Sequence, residues 1–89
     1  MKVRYSRRAL SQLASVYDYL QQRNQGAAEN VVTSIRATIG RLRDMPFLGR
    51  MTDEADVHVI VEPDYLYRVF YRVQGQEVFV IRIMHGRLG

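Results

Sequence analysis

The chain has 89 residues, 47% apolar and 25% charged, the balance of one small globular domain spanning 1–89. It has no cysteine and two histidines, His58 and His85. That excludes a disulfide scaffold, a thiolate metal site and a cysteine nucleophile, and no metal or cofactor is expected. No apolar run approaches the ~20 residues that span a bilayer, and Met1-Lys2-Val3-Arg4-Tyr5 lacks the apolar core of a signal peptide, so the expected location is the cytoplasm, away from membranes.

Of 13 basic residues 12 are arginine, and Lys2 is the one lysine. Arginine offers a planar fork suited to phosphate and carboxylate, although a GC-rich genome also enriches it. Residues 1–50 carry 9 basic and 3 acidic groups, whereas residues 51–89 carry 4 and 6. A basic first half implies an anionic partner, either a nucleic acid or an acidic protein segment.

Lys2 to Tyr5 alternates polar and apolar, which predicts a short opening strand. Ser6 offers an N-cap oxygen. Leu10, Leu13, Tyr17 and Leu20 then recur at helical spacing, predicting an amphipathic helix from about Arg7 to Arg23. Asn24-Gln25-Gly26 reads as its C-cap, because Asn and Gly tolerate the left-handed conformation. A second helix, about Ala27 to Asp44, carries the stripe Ala28, Val31, Val32, Ile35, Ile39 and Leu42 and stops before Pro46. A link of about three residues makes the two an antiparallel hairpin.

Residues 47–56 read as a loop. Three strands follow: Val57 to Glu62, ended by Pro63-Asp64; Tyr65 to Val73; and Glu77 to Met84, after the hairpin connection Gln74-Gly75-Gln76. The last is nearly all apolar, which predicts a mid-sheet position with both faces covered. The expected fold class is α+β, in the order β-α-α-β-β-β: an antiparallel sheet with the N-terminal helical hairpin packed on one face.

In the third predicted strand, Tyr65 to Val73, Leu66, Arg68, Phe70 and Arg72 share one face, and Tyr67, Val69, Tyr71 and Val73 the other. Arg68 and Arg72, about 13 Å apart by strand rise, are spaced to follow a phosphate backbone, with Phe70 between them to stack on a base. A solvated face, with arginine stems over aromatic rings, gives the same pattern. His85 closes the last strand, where a histidine serves either as acid–base group or as a structural strand end. His58 reads as structural. Glu62, Asp64, Asp53, Glu54 and Asp56 read as loop charges. No Gly-rich phosphate loop and no nucleophile–base pair is visible in the spacing.

Taken in order, Val3-Arg4-Tyr5-Ser6, Asp18-Tyr19-Leu20, Pro46-x-x-Gly49-Arg50, Tyr67-Arg68-Val69-Phe70-Tyr71-Arg72-Val73 and Ile81-Arg82-Ile83-Met84-His85-Gly86-Arg87 resemble the RelE/ParE superfamily of bacterial toxins from type II toxin–antitoxin systems. The resemblance covers essentially the whole chain and is closer to ParE. It implies a toxin neutralised by a cognate antitoxin, whose acidic C-terminal segment wraps it. A ParE-like member poisons DNA gyrase and has no established nuclease role; the functional surface expected here is Arg68, Arg72, Arg82, His85 and Arg87. The alternative is a RelE-like endoribonuclease that cuts mRNA on the ribosome, for which Arg68, His85 and Arg50 are the candidate catalytic residues. Against that pattern, Gly86 stands where such enzymes carry a tyrosine, and Asp53, Glu54 and Asp56 make the stretch after Arg50 acidic. A second alternative is a non-toxic, arginine-rich interaction module.

Overall fold

The computed structural model describes residues 1–85. In chain order these form β1 (Lys2–Tyr5), α1 (Arg7–Gln21), α2 (Gln25–Gly40), a 3-10 turn (Arg41–Arg43), β2 (Arg50–Met51), β3 (His58–Val61), β4 (Tyr67–Gln74) and β5 (Glu77–His85). The strands make one sheet in the order β1-β5-β4-β3-β2, with both helices on one side. The α+β class and the expected run of two helices followed by a meander are observed.

Two details of the sheet differ from expectation. It is mixed, because β1 lies parallel to β5 while β2 to β5 pair antiparallel. Strand direction depends on how the helical hairpin returns the chain, which no local pattern in Lys2–Tyr5 encodes. The segment expected to be pure loop contains β2, whose two residues are too few to show a period.

Ser6 caps α1 as the sequence predicts, its oxygen accepting from the Ala9 amide at 2.9 Å. Its hydroxyl also donates to the Ile81 carbonyl at 2.6 Å, tying the helix start to the last strand. Asn24 has a different role from the one expected. It is the N-cap of α2, extended at φ −162°, and its side chain accepts from the Ala27 amide; Gly26 lies inside that helix. A three-residue link makes one asparagine a plausible cap for either helix, and the orphan amides of α2 take it.

The core joins Ala9 and Leu13 of α1, Val31, Ile35 and Ile39 of α2, and Leu42 to Ile60, Val69, Tyr71, Val78, Val80 and Ile83 of the sheet. On β4 the buried residues alternate, Val69 and Tyr71 inward and Arg68, Phe70 and Arg72 outward, as the period of two requires. Leu66 precedes the strand, in a turn. β5 is mid-sheet, but the helices cover only one of its faces. Phe79 and Arg82 on the other face are half-buried, and Phe79 lies under the Arg4 guanidinium, 5.2 Å from its ring centre. At Phe70/Tyr71 the register with β5 shifts, so that Phe70 opposes Arg82 and Tyr71 opposes Val80. Ile81 is the extra residue of a bulge. This explains a strand that reads as apolar almost throughout and yet has one wet face.

Candidate functional site

The sheet face away from the helices carries a depression of about 330 Å³, lined by Arg50, Thr52, Asp53, Val59, Arg68 and Phe70 among others. Arg50 comes from β2 and Arg68 from β4, brought together by β3 between them. Neither makes an ion pair among the described residues. Beside them Arg82 lays its guanidinium over the Phe70 ring, 4.1 Å from the centroid, and pairs with Glu54 at 3.1 Å. Three arginines and one aromatic ring thus form a cationic surface with a π-face, the chemistry that suits a phosphate backbone with unstacked bases. Arg72, expected on the same track, lines a separate depression with Phe47, Asp56 and His58.

Glu54 is held by a tight loop. The Thr52 amide donates to the Val57 carbonyl at 2.9 Å and the Val57 amide to the Glu54 carbonyl at 3.1 Å. The Thr52 hydroxyl accepts from the Glu54 amide and donates to the Val57 carbonyl. Asp56 closes the loop at φ 61°. In the sequence Glu54 reads as one of five loop charges. Its partner lies 28 residues away, so no local signal marks it.

His85 occupies the other face. It pairs with Tyr67 in the β4–β5 ladder, and the two rings meet edge to face at 5.0 Å. Together they line an open, mainly apolar groove of about 820 Å³ with Ser15, Val16, Tyr19, Leu20 and Ile83. Burial and the nearby Glu62 carboxylate push the Tyr67 hydroxyl above its ordinary pKa of 10. β1 pairs with β5 only as far as Val80. Beyond it Gln12 of α1 accepts the Ile83 amide at 2.6 Å. Of the expected site residues, therefore, Arg50, Arg68 and Arg82 come together, Arg72 stands apart, and His85 is across the sheet. Arg87 lies outside the described residues.

Two loops fix these faces. Glu62, expected to be a solvated loop charge, is fully buried. Its carboxylate accepts from the Ser34 hydroxyl and from the amides of Asp64 and Tyr65, both at 2.8 Å. Burial raises the cost of its charge, but those hydrogen bonds together outweigh it and hold its pKa below the ordinary 4.5. They organise a turn in which Leu66 takes φ 65°, a strained value for leucine. On the other loop, the Tyr71 hydroxyl accepts from the Gly49 amide at 2.9 Å. Any Cβ at Gly49 would lie 2.6 Å from the Val59 carbonyl oxygen and 2.7 Å from the Tyr71 hydroxyl, which is why glycine stands in Pro46-x-x-Gly49-Arg50. His58 stacks on Tyr71 at 5.2 Å and tilts against Phe47. Among the described residues its buried Nδ1 has no hydrogen-bond partner.

A family model described as the ParE toxin of the type II toxin–antitoxin system parDE matches residues 3–87. The chain belongs to the ParE toxin family. It is thus a type II toxin of the RelE/ParE superfamily. The toxin RelE2 of Caulobacter vibrioides is 29% identical over 79 residues, which cover 89% of this chain and 88% of that one. Among solved structures, the chromosomal ParDE system from P. aeruginosa superposes with a TM-score of 0.87 at 22% identity, covering 96% of this chain and 95% of that chain. The intact E. coli RelBE toxin–antitoxin complex does so with a TM-score of 0.69 at 19% identity and the same coverage. Among the described residues no helix is long and apolar enough to cross a membrane.

Proposed function

We propose that this toxin acts in the ParE manner, by binding DNA gyrase in the cytoplasm and stabilising its cleaved-DNA state, and that it performs no chemistry of its own. The observation that carries this reading is the division of charged groups between the two sheet faces. A metal-free ribonuclease needs an acid, a base and cations around one phosphate. Arg50 and Arg68 share the outer depression with Asp53, whereas His85, the one histidine expected to act as an acid–base group, lines the groove on the helix side, and the neighbouring Glu54 is engaged by Arg82. A binder needs only the outer face: three arginines and Phe70 set against the DNA of the gyrase complex. By linkage, such a poison binds the cleaved state more tightly than the resealed one.

The helix-side groove is the surface assigned to the cognate antitoxin. Its apolar lining suits an amphipathic segment, and among the described residues β5 beyond Val80 has no neighbouring strand on the α1 side, where the Gln12 side chain holds the Ile83 amide. The protein's net charge of +4 favours an acidic partner and speeds its association.

The test is a plasmid assay with purified gyrase, ATP and the toxin refolded free of antitoxin. Loss of supercoiling, with linear DNA appearing after protein digestion, is the expected result. Unaffected gyrase together with mRNA cleavage on the ribosome would replace this reading with the RelE-like one.

A further inference from the structure

The contact between Glu54 and Arg82 has a consequence for how the outer face meets a ligand. The Arg82 guanidinium has Phe70 beneath it and the Glu54 carboxylate beside it. Both ends of the ion pair are set in place by the fold. Glu54 sits on the loop closed by Thr52 and Val57. Arg82 follows the bulge residue Ile81, whose carbonyl is held by the Ser6 hydroxyl and whose neighbour Val80 accepts the Ser6 amide. A carboxylate that occupies an arginine next to Arg50 and Arg68, which make no ion pair among the described residues, is placed where a phosphate oxygen would go.

We infer that Glu54 is a built-in competitor for the phosphate backbone of a nucleic acid, and that the free toxin holds Arg82 latched until a backbone bound at Arg50 and Arg68 displaces the carboxylate. The inference rests on the reading that the outer face meets the target's DNA. The ion pair is half-exposed at Glu54, and such pairs are weak. The latch therefore opens readily for a strand that engages all three arginines and resists a single anion that engages one. Its physical role is discrimination: it penalises isolated phosphate or carboxylate groups at Arg82 and leaves extended polyanions favoured.

The experiment uses fluorescence anisotropy with a fluorescein-labelled 12-nucleotide single-stranded DNA as probe, at about 50 mM salt, where backbone contacts are strong. The variants are Glu54→Gln, Arg82→Ala, their combination, Arg68→Ala and Asp56→Asn. Asp56 is on the same loop but lines the other depression, so Asp56→Asn makes the same change of net charge away from the latch. Glu54→Gln is expected to tighten binding roughly three- to fivefold, the range of one exposed ion pair, and Asp56→Asn clearly less. In the Arg82→Ala background the gain from Glu54→Gln should vanish. Equal gains from Glu54→Gln and Asp56→Asn, or a gain that survives Arg82→Ala, overturn the latch while leaving the outer face as the binding surface. If neither Arg68→Ala nor Arg82→Ala weakens the probe, the reading of the outer face fails, and the latch with it. Glu54→Ala repeats the comparison should the glutamine retain a hydrogen bond to Arg82.

Discussion

Arg82 and His85, three residues apart on the last strand, project from opposite faces of the sheet. Arg82 packs on Phe70 beside Glu54, whereas His85 meets Tyr67 in the groove beside α1. Odd spacing on a strand forces this separation, and it makes the two residues separable in function. Arg82→Ala is expected to raise the toxin concentration needed for gyrase-dependent DNA cleavage by about tenfold or more, the worth of one charge-assisted contact. His85→Ala should change it by less than about threefold, as loss of one ring contact at the far face would. Titration of linear DNA against toxin concentration measures both. A folded His85→Ala protein with no toxicity at all would point to chemistry at His85 instead.

Gly49 and Tyr71 predict a different kind of defect. The glycine amide donates to the Tyr71 hydroxyl, and the Cα packs against the Val59 carbonyl with no room for a methyl group. Gly49→Ala should cost about 1–3 kcal/mol as an overpacked site, or roughly 4–8 °C of melting temperature per kcal/mol at this size. Tyr71→Phe should cost about 1–2 kcal/mol by leaving the amide without its acceptor. Adding Tyr71→Phe to Gly49→Ala should not restore stability, because the clash with the Val59 backbone remains. Thermal melts of the three variants give the answer; full rescue in the double variant would show that the hydroxyl alone sets the constraint.

Glu62 makes the fold sensitive to acid. Its pKa in the folded chain lies below the ordinary 4.5, so in acid the unfolded chain takes up the proton first. The stabilisation from its hydrogen bonds is complete above about 4.5 and is lost as the pH falls through the folded value. Glu62→Gln should lower stability near neutral pH by about 1–3 kcal/mol. Its deficit relative to the original chain should shrink steadily between about pH 4.5 and the acid limit. Chemical denaturation from pH 7 to pH 3 follows this gap; a gap that stays constant would mean that the carboxylate's charge contributes nothing.

Much of this arrangement is legible in the sequence where the cause is local. The alternation of Arg68, Val69, Phe70 and Tyr71 announces which side chains meet the core, and Ser6 before an amphipathic run announces a helix start. What is hidden has partners far along the chain. Glu62 looks like any turn carboxylate, because Ser34 is 28 residues away and its other donors are backbone amides. Glu54 looks like a solvated charge for the same reason. The bulge at Ile81 is masked by an apolar run, which conceals that Arg82 and Phe79 share the wet face. The direction of β1 is set by the helical hairpin it feeds, and Asn24 suits either helix end until packing chooses one.

The electrostatics of the surface predict how the antitoxin is held. Residues 1–50 carry an excess of positive charge, and Arg7 and Arg8 stand exposed at the start of α1, the helix that walls the groove assigned to the antitoxin. Contacts between exposed charges weaken as the screening length drops from about 10 Å at 0.1 M salt to about 3 Å at 1 M. The apolar contacts with Val16, Tyr19, Leu20 and Ile83 do not share that dependence and strengthen somewhat in salts that are excluded from the surface. The affinity of the antitoxin's C-terminal segment should therefore fall with sodium chloride and then level off at the part carried by the groove. Arg7→Gln combined with Arg8→Gln should flatten the slope and leave the plateau in place, whereas Leu20→Ala should lower the plateau and leave the slope. Calorimetric titration at 0.05, 0.15, 0.5 and 1 M salt, a series chosen to span those screening lengths, distinguishes the two. An affinity indifferent to salt in the unaltered pair would remove charge from the account and leave the apolar groove to hold the antitoxin alone.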